Sequence, residues 1–147
     1  MADPKHDELL HHGVATWNAW RAEHPTIRPD LTGISLVGAS LARVQLRGAV
    51  LYRADLSAAN LEEADLQYAD LYYAILRSAR MSRANLRGAH LSGVDVSQAN
   101  LSAADLSRVD LSQARLSGAI LDGANLEWAT YTQEQLGHAR SWLQIRR

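Results

Sequence analysis

A bulky apolar residue returns at every fifth position for about one hundred residues. The series begins Leu31, Leu36, Leu41, Leu46 and ends Leu116, Leu121, Leu126, with Met81 and Val96 as the only stand-ins. Two positions before most members sits a small residue, as at Ala39, Ala49, Ala54, Ala59 and Ala124. Between the two there is often Asp or Asn, as in Ala54-Asp55-Leu56 and Ala99-Asn100-Leu101. A period of five matches neither the helical 3.6 nor the strand period of 2. Fixed self-similarity of this kind is the mark of a repeat architecture.

Inside one unit the pattern is that of a strand: Ala54 and Leu56 share one face and Asp55 takes the other. Positions four and five are polar or flexible, so the chain must turn there. Glycine recurs at position five, for example Gly33, Gly48, Gly88 and Gly123, as suits a turn that needs positive φ. A short strand and a corner, repeated, wind into a coil with leucine and alanine inside. Successive coils stack about 4.8 Å apart through backbone hydrogen bonds. Proline would remove a donor from that ladder, and the only prolines, Pro4, Pro25 and Pro29, lie before the repeats or at their first residue.

The unbroken A-(D/N)-L-x-x series over residues 29–130 resembles the pentapeptide-repeat proteins, and the resemblance covers about two thirds of the chain. It implies an all-β solenoid, a right-handed quadrilateral β-helix of about five coils with four units per coil. Residues twenty apart then stack in one column.

The flanks, 1–28 and 131–147, read as end caps, since a bare solenoid end exposes core and unpaired backbone. Asp3-Pro4 opens an N-terminal helix. Leu9, Leu10, Gly13, Val14, Trp17 and Trp20 form its apolar stripe, and it should stop near His24-Pro25. The stretch Gly13-Val14-Ala15-Thr16-Trp17-Asn18-Ala19-Trp20-Arg21 resembles a leader found before such repeats in bacterial proteins. Thr132-Gln133-Glu134-Gln135 is a capping box that predicts a short C-terminal helix through Leu136 and Ala139 towards Leu143. Leu136, Trp142, Leu143 and Ile145 are assigned to the cap on the last coil or to a homodimer contact.

The chain has the length of one domain and no cysteine, which excludes disulfides and a thiol nucleophile. No signal peptide or long apolar run is present, so a cytoplasmic protein without a membrane partner is expected. The net charge is −1, which gives neither the basic excess of a nucleic-acid binder nor a strong acidic field.

No catalytic, cofactor-binding or metal-binding set stands out. Ser92, Ser97, Ser102, Ser107, Ser112 and Ser117 are corner residues. The repeat itself dictates the aspartates, which can accept nearby backbone hydrogen bonds. His6, His11 and His12 lack zinc-ligand spacing and fit the solvated side of the first helix.

Departures from the repeat mark the candidate surfaces. Val50, Tyr52, Tyr68, Tyr72, Tyr73 and Ile75 form an aromatic and apolar set, suited to a protein contact or to a stabilising ladder between coils. Arg77, Arg80, Arg83 and Arg87 form a basic belt around half a coil, and Arg43, Glu63 and Arg83 can alternate in one column. His90 replaces the usual Asp or Asn between Asp70 and Asp110, and Arg108 falls in the column of Trp128 as a cation–π candidate. The leading expectation is a non-catalytic protein–protein interaction scaffold, not an enzyme. The alternative comes from the resemblance: some pentapeptide-repeat proteins mimic DNA, bind gyrase or topoisomerase IV and protect it against quinolones or natural-product poisons. This chain departs from those members in its near-balanced charge and its lack of phenylalanine.

Overall fold

The computed structural model describes residues 1–147. Ala54 and Leu56 are fully buried and Asp55 between them is half-buried, as strand alternation requires. The Leu51 amide donates to Asp70 O at 2.7 Å, and the Asp70 amide donates to Ala49 O at 2.9 Å. Bridged pairs are parallel and twenty residues apart from Asp30↔Val50 to Asp110↔Thr130. Four units therefore make one coil. Each unit contributes a single bridging residue rather than an extended strand, because the corner occupies the rest of the unit.

The corner is a tight turn. The Ala54 amide donates back to Leu51 O at 3.0 Å, and the position-five residue is left-handed in every unit from Gly33 to Trp128, with φ between 55° and 70°. An i→i+3 bond with a left-handed third residue defines a type II turn. Most of these residues are not glycine, and each such side chain costs roughly 1–2 kcal/mol. The ladders above and below hold the backbone there regardless. The Asp or Asn at position two closes the same corner. Its Oδ1 accepts the amide two residues on, as from Ser57 to Asp55 at 3.0 Å and from Ser107 to Asp105 at 2.9 Å. Such Asx turns are local. Between Asx side chains of successive coils there is one direct bond, from Asn125 Nδ2 to Asp105 Oδ1 at 3.3 Å.

The N-terminal segment forms two helices where the apolar stripe predicts one. Helix α1 spans Pro4–His11 and α2 spans Val14–Glu23. Gly13, at φ 104°, separates them, a conformation glycine adopts without the penalty of a Cβ. The break lets α1 fold back against α2. His6 is therefore buried rather than solvated. Its ring lies 5.1 Å from that of Trp20, and its Nδ1 accepts the Asp30 amide at 3.2 Å.

Helix α2 lays one face along the open edge of the first coil. Trp17 Nε1 donates to Gln45 O at 2.8 Å. Asn18 accepts the Gln45 amide at 2.9 Å and donates to Arg43 O at 3.1 Å. Arg21 donates to Arg47 O at 3.1 Å. These side chains fall at i, i+1 and i+4 on one helical face, so the leader residues Trp17, Asn18 and Arg21 satisfy backbone groups that have no coil beneath them.

At the other end α3 spans Gln133–His138 behind the expected capping box. Gln135 also donates to Leu111 O at 2.8 Å and Ala114 O at 3.1 Å, and Leu136 is fully buried. The helix does not continue to Leu143. Instead the tail rejoins the ladder, with Ser141 bridged to Ile120 and Arg146 to Asn125. The offset is now twenty-one residues, a slip of one introduced by α3. Trp142 occupies the leucine position of this last partial coil. Ile145 packs against the core, while Trp142 is 40% and Leu143 70% exposed. Of the four residues assigned to the cap or a dimer, only Trp142 and Leu143 offer surface to another molecule.

Candidate protein-interaction surface

The bridging residues Asp30, Val50, Asp70, His90 and Asp110 run up one face of the rod. Tyr72 and Tyr73 stand at one edge of that face and Tyr68 at the other. Tyr52 and Tyr72 stack at 5.9 Å and 20°. Tyr72 then stacks on His90 at 5.1 Å and 6°, and its ring meets that of Tyr73 at 4.3 Å. The Arg53 guanidinium covers Tyr52 at 5.1 Å. His90 Nδ1 lies 3.4 Å from Asp70 Oδ1. The neighbouring Tyr73 phenol pushes the Tyr72 phenol up.

Tyr68 and Tyr73 each lie over a glycine one coil on. A Cβ on Gly88 would meet Tyr68 Cε1 at 2.7 Å, and one on Gly93 would collide with the ring of Tyr73. Both glycines also have positive φ. Each thus provides a left-handed corner and a flat seat for an aromatic ring. The inner sides of these rings are fixed against the rod, while the outer sides remain open: Tyr68 is 52% and Tyr73 41% exposed, and the Ile75 side chain is 37% exposed. Val50 and Tyr52 are half-buried. The six candidates do not form one cluster. Tyr52, Tyr72 and Tyr73 are in contact, Tyr68 is across the face, and Ile75 is round the corner on the next one. The ladder and the exposed surface are therefore the inner and outer sides of the same rings. A sequence signal for the seats exists, tyrosine at one corner and glycine twenty residues later, but it shows only once the coil length is known.

The basic belt resolves largely into ion pairs. Arg77 Nε reaches Asp95 Oδ2 at 2.6 Å, Arg80 Nη2 reaches Glu62 Oε1 at 2.7 Å, and Arg83 Nη2 lies 3.6 Å from Glu63 Oε1. Arg43 takes the other oxygen of Glu63 at 3.1 Å, giving an alternating Arg43–Glu63–Arg83 column. Exposed pairs of this kind contribute only about 0–1 kcal/mol each. Arg87 alone in the belt has no carboxylate within ion-pair distance. Trp128 is 83% exposed, and the Arg108 guanidinium does not lie over it.

Ser57 Oγ and Ser102 Oγ donate to their own unit's Asp55 and Asn100 at 2.6 Å. Several aspartates are held ionised by the corners. Side-chain and backbone bonds from Ser112 lower the Asp110 carboxyl, with a further contribution from His90. Those from Thr32 lower Asp30, and those from Ser141 and Leu143 lower Asp122. Burial raises Asp95, but Ser97 and Arg77 outweigh it and the net shift is downward. A carboxyl depressed in the folded state stabilises it above the unfolded pKa, about 3.9. That contribution fades as pH falls through the folded value. The carboxylate contribution to the melting temperature should therefore be fully present down to about pH 5 and be lost below about pH 4. A scan of circular dichroism melts across this range checks it.

The comparisons with known proteins agree on the architecture. The family model of pentapeptide repeats matches in eight copies, over residues 30–67, 64–102 and 99–130. A pentapeptide repeat protein of the cyanobacterium Cyanothece 51142 superimposes with a TM-score of 0.70 at 29% identity, over 90% of this chain and 98% of that one. One from the Arabidopsis thaliana thylakoid lumen gives 0.64 at 25% identity, over 72% and 70%. The plasmid-mediated fluoroquinolone resistance protein QnrB1 aligns at 21% identity over 80% of this chain and 76% of that one, but with a TM-score of 0.35 it supports no conclusion about this chain. No curated protein matches the chain. With the repeat model covering residues 30–130 and its solved relatives built as right-handed β-helical solenoids, the chain belongs to the pentapeptide-repeat family.

Proposed function

We propose that this protein is a non-catalytic scaffold that holds a protein partner against the tyrosine-bearing side of its rod. The rod is a four-sided helix of about five coils. The observation that carries the reading is the pair of seated rings: Tyr68 and Tyr73 are fixed on Gly88 and Gly93 with half of each ring open to solvent. Aromatic side chains already immobilised lose little freedom on binding, and tyrosine is enriched at protein interfaces. Ile75, exposed where most units carry a polar residue, extends the apolar surface.

The DNA-mimic alternative needs an extended negative face. No column of bridging residues carries carboxylates in two successive coils: Asp65 is followed by Asn85 and then Asp105, and Asp55 by Ile75 and then Asp95. Stacked carboxylates about 4.8 Å apart would repel, and the alternation avoids this at the expense of a continuous acidic surface.

Affinity capture from cell extract, run in parallel with wild type and the Tyr68→Ser/Tyr73→Ser double variant, tests the scaffold reading. One protein should be recovered with wild type and at least ten-fold less of it with the variant. Equal recovery with both would refute a tyrosine contact. A gyrase supercoiling assay with and without a quinolone should show no effect. Inhibition or rescue at micromolar protein would establish topoisomerase modulation instead.

A further inference from the structure

Where α2 meets the first coil, three arginines converge on one cleft of about 290 Å³. Arg21 comes from α2, Arg28 from the linker and Arg47 from the first coil. Pro25, Ile27 and the ring of Tyr68 supply the apolar part of the wall. None of the three guanidinium groups has a carboxylate within ion-pair distance, in contrast to Arg43, Arg77, Arg80 and Arg83. What holds them is neutral. Arg21 donates to Ile27 O at 2.6 Å and Arg47 O at 3.1 Å. Arg28 Nε donates to Gly48 O at 3.1 Å. Arg47 lies 5.3 Å over the Tyr68 ring, with Nη1 3.4 Å from Gln67 Oε1.

These contacts orient the guanidinium groups and leave donors unused. Arg28 uses only Nε, so both of its Nη groups are free of protein partners. Burial disfavours the charge on Arg21 and lowers its pKa, although Asp65 partly offsets this. A partly desolvated cation beside two cations without ion-pair partners is an arrangement that an anion stabilises. Arginine forks match phosphate and carboxylate oxygens. Three positive charges at one cleft fit a dianion better than a single carboxylate.

We propose that the Arg21–Arg28–Arg47 cleft binds a phosphate group, with Arg28 and Arg47 as its principal donors and the Tyr68 side of the wall available to whatever carries the phosphate. Arg21 is chiefly the positioning member, because its donors already hold the linker and the first coil together. The site is separate from the partner surface proposed above except for Tyr68, which serves both.

The test is a titration of the whole protein, followed through the arginine Nε–H resonances, with inorganic phosphate, phenyl phosphate and sodium chloride at matched ionic strength. Saturable shifts of the Arg28 and Arg47 resonances with either phosphate, and none with chloride, are expected. In Arg28→Gln and Arg47→Gln the affinity should fall at least ten-fold while the melting temperature is retained, since both side chains are exposed. Tighter binding of phenyl phosphate assigns the cleft to phosphate esters, and equal binding assigns it to free phosphate; either supports the proposal. Shifts that follow ionic strength alone, an absence of saturation, or undiminished binding in both variants would overturn it.

Discussion

Truncation of Leu71 to alanine should lower the free energy of unfolding by about 3–5 kcal/mol. Leu71 is fully buried in the middle of the rod, with its amide on His90 O at 2.9 Å and Ala74 donating back to its carbonyl at 2.9 Å. The cost is placed at the upper end of the range for such truncations because the cavity cannot close. The backbone on either side is tied at fixed spacing to the coils above and below, and the inner neighbours are leucines and alanines held by the same ladders. Denaturant unfolding of the variant measures this, with Leu143→Ala as the control. Leu143 is 70% exposed, and its truncation should cost under about 0.5 kcal/mol. A loss near 1 kcal/mol for Leu71→Ala would mean that the stack relaxes into the void. Because each coil touches only its neighbours, stability is close to a sum of local terms. Amides of the Leu51, Leu71 and Leu91 coils should therefore lose hydrogen-exchange protection before those near Leu126.

Trp17→Ala is the second large effect, again about 3–5 kcal/mol, but with a different consequence. Trp17 is fully buried and covers the N-terminal end of the core, and its Nε1 bonds Gln45 O. Removing it strips an edge carbonyl of its partner and loosens the seat of α2, on which Asn18 and Arg21 depend. Exposed ladder edges template association, so the variant should self-associate as well as melt earlier. Sedimentation at several concentrations separates the two effects. A variant that melts earlier but stays monomeric would show that α2 remains docked without the indole.

The solenoid was legible because its period is fixed by one geometric necessity. Each unit must present Leu and Ala inward and then turn, and a failure at any unit would break the stack. The caps obey no such period, and the sequence reading fails there for identifiable reasons. The stripe from Leu9 to Trp20 continues through Gly13, so hydrophobicity alone hides the break that turns one helix into two and buries His6. In the tail, α3 shifts the register by one and Trp142 replaces the leucine, so the last partial coil no longer matches the repeat. At the surface, the column neighbours of His90, Arg43 and Arg83 follow from wrapping the chain at twenty residues per coil. The Arg21–Arg28–Arg47 cleft does not, since two of its members lie outside the repeats and meet only through the path of the linker.

The tyrosine side of the rod is most directly tested by photo-crosslinking in cells, with benzoylphenylalanine placed at Tyr73 or, as control, at Gln98. Both are exposed left-handed corner residues, one on the tyrosine-bearing edge and one on a different corner. A discrete protein adduct at position 73 and none at 98 is the predicted result. Adducts of equal yield at both positions, or at 98 alone, would contradict a partner surface on the tyrosine side.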